Sequence, residues 1–317
     1  MYFPTITWPW TARTATRHQG LLLGRTLCTS PHLQWFIRYL IVIPLGEHDD
    51  NTYTWIPNLL SLGRMRHFEV WQCANGESFR DIISSAPPLP SAEHVSIRGR
   101  IKKHSPISMQ HVLETFPNAD SFVLDLSGMW EFSPRTQDHR IMRRLSIIAD
   151  RVPAHLFVPY TSSLTRIDIQ VHVLTDEKLL AATILSMTHL VTMTISIPAE
   201  STFLDHVVPQ LPHLRVLYCA RGSFSSTLLW ELPGQIHTLW LQASPRRRFD
   251  VAAINAMIQH SRAYNGSLKE LYLDFHFRSK WSYVERRRVD VRFSSDPHKG
   301  RALFVYVSLV YSFSLIR

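Results

Sequence analysis

The chain has 317 residues, of which 45% are hydrophobic and 19% are charged, a composition that is typical of folded proteins and excludes a disordered chain. Its formal net charge of +9 comes from the two terminal parts of the chain: residues 1–46 carry +4 and residues 244–317 carry +8, whereas residues 47–243 carry −3. The body is therefore slightly acidic, and the clusters RRR (246–248) and RRR (286–288) fit solvated loops, so this charge argues against nucleic-acid binding.

Residues 1–32 predict an irregular or helical N-terminal cap. The opening MYFPTITWPW has no basic lead-in and no apolar run of signal-peptide length, so we expect no secretory leader. The three cysteines, Cys28, Cys73 and Cys219, are far apart and form no CxxC pair, which indicates a reducing compartment. We therefore expect the protein in the cytoplasm or the nucleus, with no membrane partner.

A short spacing, apolar-x-x-apolar-x-apolar, recurs along the chain at intervals of 22–32 residues. One hexamer is weak evidence, but ten in series indicate a repeat architecture. The copies are IRYLIV (37–42), MRHFEV (65–70), AEHVSI (92–97), ADSFVL (119–124), MRRLSI (142–147), LTRIDI (164–169), LVTMTI (190–195), LRVLYC (214–219), IHTLWL (236–241) and LKELYL (268–273). Positions one, four and six of each copy are predicted to face the core of a strand layer.

Helical patterns separate several of these strands. Asp176 and Asp250 stand where the N-caps of two such helices are expected. Strands joined by one crossover helix pair in parallel. We therefore predict, over residues 33–293, an α/β solenoid of about ten to eleven irregular units, curved, with a parallel β-sheet on its concave face and helices or loops on its convex face. The segments with apolar residues at i, i+3 or i+4 are 108–116, 176–187, 201–208 and 250–264.

The C-terminal part is harder to assign. VDVRF (289–293) fits a truncated eleventh copy of the repeat. Residues 294–317 form an apolar tail, in which residues 302–316 are uncharged. A membrane span needs about 20 residues, so we expect either a terminal strand or a tail that does not belong to the fold.

The repeat resembles the leucine-rich-repeat family across residues 33–293. That family places Asn or Cys three positions after the third apolar residue, and only Cys73 stands at this position here. The irregular units, with phrases such as SPHL, LPHLRVL and NGSLKELYL, are similar to those of F-box/leucine-rich-repeat proteins of fungal type. Residues 1–30 lack the Leu-Pro-rich opening of an F-box, so the box itself is missing from this sequence. The resemblance implies the substrate-receptor part of a cullin–RING ubiquitin ligase.

Sequence motifs of common enzymes are missing. No G-x-S-x-G, H-E-x-x-H, GxxxxGK[ST] or G-x-G-x-x-G occurs, and no two histidines share metal-ligand spacing with a carboxylate or a cysteine. His32, His189 and His213 recur in similar turn phrases, which favours a role as turn residues. We therefore predict no catalytic residue, no metal site and no cofactor, and expect the protein not to be an enzyme.

Position five of the repeat faces away from the predicted core, because successive strand side chains point to opposite faces. In the last three copies this position is always aromatic, and neighbouring parallel strands lie about 4.8 Å apart. A contiguous aromatic stripe with a polar rim has the composition of a protein-binding hot spot. The alternative is that these aromatics, which also favour strands, are covered by residues 302–316 or by a loop. The predicted stripe and rim are Tyr218, Trp240, Tyr272, Gln242, Glu270 and Asp274.

Three functions remain open on the sequence alone. The first is a protein-recognition module that presents a substrate to a ubiquitin ligase, with the ligase adaptor as partner only if an F-box lies upstream. The second is a scaffold or decoy that binds a protein without a ubiquitin role. The third, which has the least support, is an α/β hydrolase; a polar pocket with a Ser or Cys beside a His would favour it.

Overall fold

A computed structural model describes most of the repeat region. The residues that it describes are 22, 24–42, 64–71, 88–98, 107–125, 130–131, 140–151, 154–174, 176–197, 202–220, 223–243, 250, 252–257, 268–278, 284–293 and 303–312. The chain divides into two compact units, residues 1–150 and residues 151–317. Beyond Leu273 the description covers the backbone and not the side chains.

The first unit is built on five parallel strands, each paired with the next in chain order. A second, two-stranded pairing joins Ile107–Ser108 to Trp130–Glu131. The five strands are β1 (Tyr39–Val42), β2 (His67–Trp71), β3 (His94–Arg98), β4 (Ser121–Asp125) and β5 (Arg144–Arg151).

The second unit repeats this arrangement with five further parallel strands, again paired in chain order. Each of the ten hexamers contributes to a strand, and within each unit these strands pair in parallel, which confirms the predicted α/β class and the parallel pairing. The strands are β6 (Arg166–Val173), β7 (Thr192–Ser196), β8 (Val216–Cys219), β9 (Thr238–Gln242) and β10 (Glu270–Arg278).

The core follows the hexamer positions closely. Positions one, four and six of the ten hexamers give thirty residues that are predicted to face inward. Two of them are exceptions: Leu273 is half-buried, and the side chain of Val42 is not described. All the others have at most 8% of their surface exposed, and Phe68, Phe122, Leu217 and Leu239 have none. Burial of a Leu or Phe side chain contributes roughly 1.5–3 kcal/mol, so the repeated apolar spacing explains why these segments form one packed layer within each unit.

A regular backbone contact joins the starts of neighbouring strands within each unit. The carbonyl of the second hexamer residue accepts the N–H groups of the second and third residues of the next copy. For example, Arg38 O accepts from Arg66 N at 2.9 Å and from His67 N at 3.0 Å. The same pair of bonds recurs in both units, with Arg66, Glu93, Asp120, Thr165, Val191, Arg215 and His237 as acceptors. This recurrence shows that units of unequal length share one strand-entry geometry.

Helices lie between several strands, as the apolar spacing predicts. Asp250 caps the helix at 252–257, since its Oδ1 accepts the Ala253 N–H at 3.1 Å. Asp176 is the N-cap residue of the helix Glu177–Leu185, as predicted, but its backbone is left-handed (φ 53°) and its side chain makes no capping bond. The helical segments are α1 (24–29), α2 (Pro31–Gln34), α3 (Met109–Thr115), α4 (Glu177–Leu185), α5 (Phe203–Val207), α6 (Ser226–Trp230) and α7 (252–257).

Polar side chains fix the segments between strands. Arg140 donates from Nη1 to the Phe116 carbonyl at 3.0 Å and from Nη2 to the Leu113 carbonyl at 2.9 Å, at the end of α3. In the second unit, Ser223 Oγ donates to the Ile197 carbonyl at 2.9 Å and accepts from the Ile197 N–H at 2.8 Å. Ser223 therefore bonds to the turn of the preceding repeat.

The C-terminal strands reverse direction. Strand β11 (Val284–Phe293) pairs antiparallel with β10, and β12 (Leu303–Ser312) pairs antiparallel with β11. VDVRF therefore lies in an antiparallel strand and is not an eleventh parallel repeat. The cluster RRR (286–288), expected in a loop, lies in the same strand, while RRR (246–248) is outside the described residues. Among the helices that are described, none combines the length and apolar character needed to cross a bilayer.

Candidate binding surfaces on the strand faces

The predicted aromatic stripe forms in the second unit. Tyr218 is the register partner of Trp240, and Trp240 is the register partner of Tyr272, on three consecutive parallel strands. Their chain neighbours Leu217, Leu239 and Leu271 are fully buried on the other face, whereas the three aromatic side chains are half-buried. Strand alternation thus places one residue of each pair in the core and the other on the opposite face. We call Tyr218, Trp240 and Tyr272 the aromatic stripe.

The rings of the stripe contact one another in sequence. The Tyr218 and Trp240 ring centroids are 4.9 Å apart with an interplanar angle of 47°, and those of Trp240 and Tyr272 are 5.2 Å apart with an angle of 39°. Tilted pairs at such distances contribute about 0.5–1.5 kcal/mol beyond their burial. The contacts hold the three side chains as a pre-ordered set, which lowers the entropic cost of binding a partner.

The polar residues predicted around the stripe have different environments. Glu270 is half-buried and accepts a hydrogen bond from Thr238 Oγ1 at 3.3 Å. Gln242, expected at the rim, is buried with 8% exposure, and the side chain of Asp274 lies outside the described part. Asp168 continues the position-five row on β6 and forms an ion pair with Arg166 Nε at 3.4 Å. Among the side chains that are described on this face, charge therefore lies at its two ends, at Asp168 and Glu270.

The middle of the same strand face is uncharged. Thr194 is the register partner of Tyr218 and is half-buried, and Ser196 is buried with an Oγ that has no hydrogen-bond partner among the described residues. A surface of aromatic rings and hydroxyl groups favours an uncharged ligand over a strongly charged one. The described residues at positions three, five and seven of β7, β8 and β9 are Thr192, Thr194, Ser196, Val216, Tyr218, Ala220, Thr238, Trp240 and Gln242.

In the first unit, three consecutive strands bury position five. Ser96, Val123 and Ser146 have 0%, 6% and 9% of their surface exposed, although they point away from the core, whereas Ile41 and Glu69 on β1 and β2 are half-buried. Position five is therefore partly exposed in the second unit and on the first two strands of the first unit.

Position three of the first unit carries a histidine cluster that the sequence reasoning missed. The Tyr39 and His67 rings are 5.5 Å apart, and the His67 and His94 rings are stacked at 4.4 Å with an angle of 21°. His94 Nδ1 lies 2.6 Å from Ser121 Oγ on the next strand. All four residues occupy position three of their hexamers. A comparison of this position between neighbouring copies, like the one made for position five, would have predicted that they lie side by side. We call Tyr39, His67, His94 and Ser121 the histidine cluster.

The electrostatics of the histidine cluster favour a neutral His94. Burial, followed by the electrostatic interactions with His67 and Arg144, lowers its pKa from 6.5 to about 4, while Glu69 acts in the opposite direction. Glu69 itself lies 3.5 Å from His67 Nε2 and 3.1 Å from Arg98 Nε. The carboxylate therefore pairs with His67 and Arg98, and Ser121 is the hydrogen-bond partner of His94.

This cluster has neither the donor set of a metal centre nor a complete catalytic triad. Among the residues that the structure describes, no group of three metal-ligating side chains is brought together. A metal binds in the plane of an imidazole, and the stacked His67 and His94 rings cannot share one. His94 has no carboxylate hydrogen-bond partner in the described part of the chain, and its lowered pKa makes it a weak general base.

In comparisons with known proteins, no family model, no curated protein and no solved structure matches the chain. The two strand-face surfaces therefore provide the evidence on function. The aromatic stripe is the stronger candidate, because its residues are large, pre-ordered and half-exposed. The histidine cluster is internally satisfied, since each of His67 and His94 already has a polar partner.

Proposed function

We propose that this protein is a non-enzymatic protein-recognition module, and that the aromatic stripe contacts its partner. The observation that carries this proposal is the unbroken row of Tyr218, Trp240 and Tyr272 on three paired strands. Tyr and Trp dominate binding hot spots because they bury a large area with few rotatable bonds. A parallel sheet that holds them at fixed spacing supplies a rigid binding surface.

By its resemblance to F-box/leucine-rich-repeat proteins, the module is proposed to be a substrate receptor of a cullin–RING ubiquitin ligase. The irregular repeat phrases support this part of the proposal. A binding assay with the ligase adaptor subunit tests it, using this chain and a form extended at its N-terminus by the upstream coding sequence. If neither form binds the adaptor, the chain is instead a scaffold or decoy with no ubiquitin role.

Site-specific photocrosslinking tests the binding surface directly. Benzoylphenylalanine is placed at position 218 in the stripe or, as a matched control, at Leu179, which is 51% exposed on α4. We expect the probe at position 218 to crosslink a defined protein in cell extract, and the probe at position 179 not to crosslink it. Crosslinks that are identical from both positions, or that are absent from position 218, would overturn the proposal.

The hydrolase reading has one observation in its favour, the 2.6 Å contact between Ser121 Oγ and His94 Nδ1. A fluorophosphonate probe reacts with an activated serine and tests it. Because His94 is a weak base, we expect no more labelling of the wild-type protein than of Ser121→Ala. Labelling that is lost in Ser121→Ala would favour a hydrolase over a recognition module.

A further inference from the structure

Exposed aromatic side chains of the first unit lie close together at the end of α2 and the start of β1. Leu33, Trp35, Phe36 and Tyr39 have 37%, 51%, 67% and 41% of their surface exposed. The other exposed large hydrophobic residues in the described part of the chain are more scattered, which is normal for a protein surface, whereas a cluster indicates an interaction site. We call Leu33, Trp35 and Phe36 the aromatic tip.

Buried neighbours hold the aromatic tip in place. Gln34 and Ile37, which flank Trp35 and Phe36 in the sequence, are 3% and 8% exposed. Gln34 Nε2 also donates to the Leu27 carbonyl at 2.6 Å, which ties α2 to α1. Two adjacent aromatic side chains are therefore displayed on an anchored backbone, with half or more of their surface in contact with solvent.

Two arginines lie against the aromatic tip. The guanidinium carbon of Arg64 is 4.7 Å from the centroid of the Trp35 ring. Arg38 Nη1 donates to the Trp35 carbonyl at 2.9 Å and to the Arg64 carbonyl at 3.1 Å. Both positive charges are therefore placed beside Trp35, and residues 22–42 contain no Asp or Glu.

Carboxylates on the adjoining strands have basic partners of their own. Glu69 on β2 lies 3.1 Å from Arg98 Nε, and Glu93, just before β3, lies 3.6 Å from Arg66 Nε. The aromatic tip therefore combines exposed rings with a local positive charge. Two copies of such a surface repel each other, so the charge argues against self-association and favours an anionic partner.

Aromatic rings beside arginines are typical of surfaces that bind anionic membranes. Trp and Phe side chains enter the headgroup region, and anionic lipids attract nearby arginines. Protruding rings enter this fluid interface without a matching pocket, whereas a protein partner has to supply an acidic pocket that fits both rings. The geometry of Trp35 and Phe36 therefore favours a lipid surface.

We propose that the aromatic tip docks on an anionic lipid surface, with Trp35 and Phe36 among the headgroups and Arg38 and Arg64 against the lipid anions. A peripheral contact of this kind needs no membrane-spanning helix, and it departs from the expectation that the protein has no membrane partner. The aromatic tip lies in the first unit and the aromatic stripe in the second, so this inference does not depend on the proposed function.

Cosedimentation of the full chain with vesicles tests the inference. The vesicles contain equal parts of phosphatidylcholine and phosphatidylserine, and vesicles of phosphatidylcholine alone serve as the control. We expect binding to the anionic vesicles that is weakened about tenfold or more in Phe36→Ala and also weakened in Arg64→Glu or at high salt. The matched control Trp230→Ala removes a 56% exposed tryptophan on α6 and should bind like wild type.

Three results would overturn the inference: no binding to the anionic vesicles, equal binding to both kinds of vesicle, or wild-type binding by Phe36→Ala. Soluble polyglutamate distinguishes a lipid from an acidic protein as the partner. If polyglutamate binds the chain through Phe36 and Arg64 while the anionic vesicles do not, the aromatic tip recognises an acidic protein and the lipid assignment is wrong.

Discussion

Acidification should destabilise the first unit through His94. The folded state holds the pKa of this residue at about 4, below its ordinary 6.5, because burial and neighbouring positive charges disfavour the imidazolium. Between these two values the unfolded chain binds more protons than the folded one, so the free energy of unfolding falls as pH falls. This contribution is fully present above pH 6.5 and is lost progressively towards pH 4.

The magnitude follows from the shift. A lowering of about 2.5 pKa units corresponds to about 3 kcal/mol for a fully buried group, of which about 2 kcal/mol is lost between pH 7 and pH 5. His94 is only half-buried, and solvent screening reduces this loss to about 1 kcal/mol. The charged groups that face it are His67, Glu69, Arg98 and Arg144.

Urea unfolding at pH 7, 6 and 5 measures this contribution when wild type and His94→Gln are compared. Glutamine keeps a hydrogen-bonding group near Ser121 but does not titrate. We expect the variant to lose about 1 kcal/mol less than wild type between pH 7 and pH 5. His189→Gln, at an exposed turn histidine, should follow wild type. If His94→Gln also follows wild type, the reasoning about the histidine cluster is refuted.

Two further substitutions test a contact between repeats and a helix cap, each with a matched control in urea unfolding. Arg140→Ala should destabilise the protein by about 2 kcal/mol because it removes two charge-assisted hydrogen bonds to carbonyls at the end of α3. The control is Arg143, whose side chain is 70% exposed in its ion pair with Asp120. Arg143→Ala should cost about 0.5 kcal/mol or less. Equal effects of the two would contradict the assigned role of Arg140. Asp250→Ala should lower the free energy of unfolding because it removes the side-chain cap of α7. Asp176→Ala removes no capping bond and should therefore cost less. A larger loss of stability in Asp176→Ala than in Asp250→Ala would contradict this assignment of the caps.

The sequence predicted the repeat strands well because one physical rule fixes them. Leu214, Leu217 and Cys219 occupy positions one, four and six, and all three are fully buried. The same frame predicted the register of the aromatic stripe, since equivalent positions of neighbouring parallel strands lie side by side. For these features, local spacing and strand alternation were sufficient information.

Other features depend on information that the spacing does not contain. Strand β11 pairs antiparallel with β10, whereas the hexamer pattern is the same in parallel and antiparallel strands and so does not predict the direction. Asp176 occupies the predicted N-cap position, but its backbone is left-handed (φ 53°) and its side chain makes no capping bond, and the residue type alone determines neither. His67 and His94 are 27 residues apart in the sequence and meet only because the repeat brings equivalent positions together.

The central claim is that the aromatic stripe binds a protein partner, and its most direct test compares Trp240→Ala with Trp230→Ala. The two measurements are affinity for the protein crosslinked through position 218 and the melting temperature. We predict that Trp240→Ala weakens binding by about 2 kcal/mol or more, roughly thirtyfold, without unfolding the protein. Trp230→Ala should leave the affinity unchanged. A Trp240→Ala variant that melts earlier but binds its partner with wild-type affinity would show that the stripe is structural and would contradict the claim.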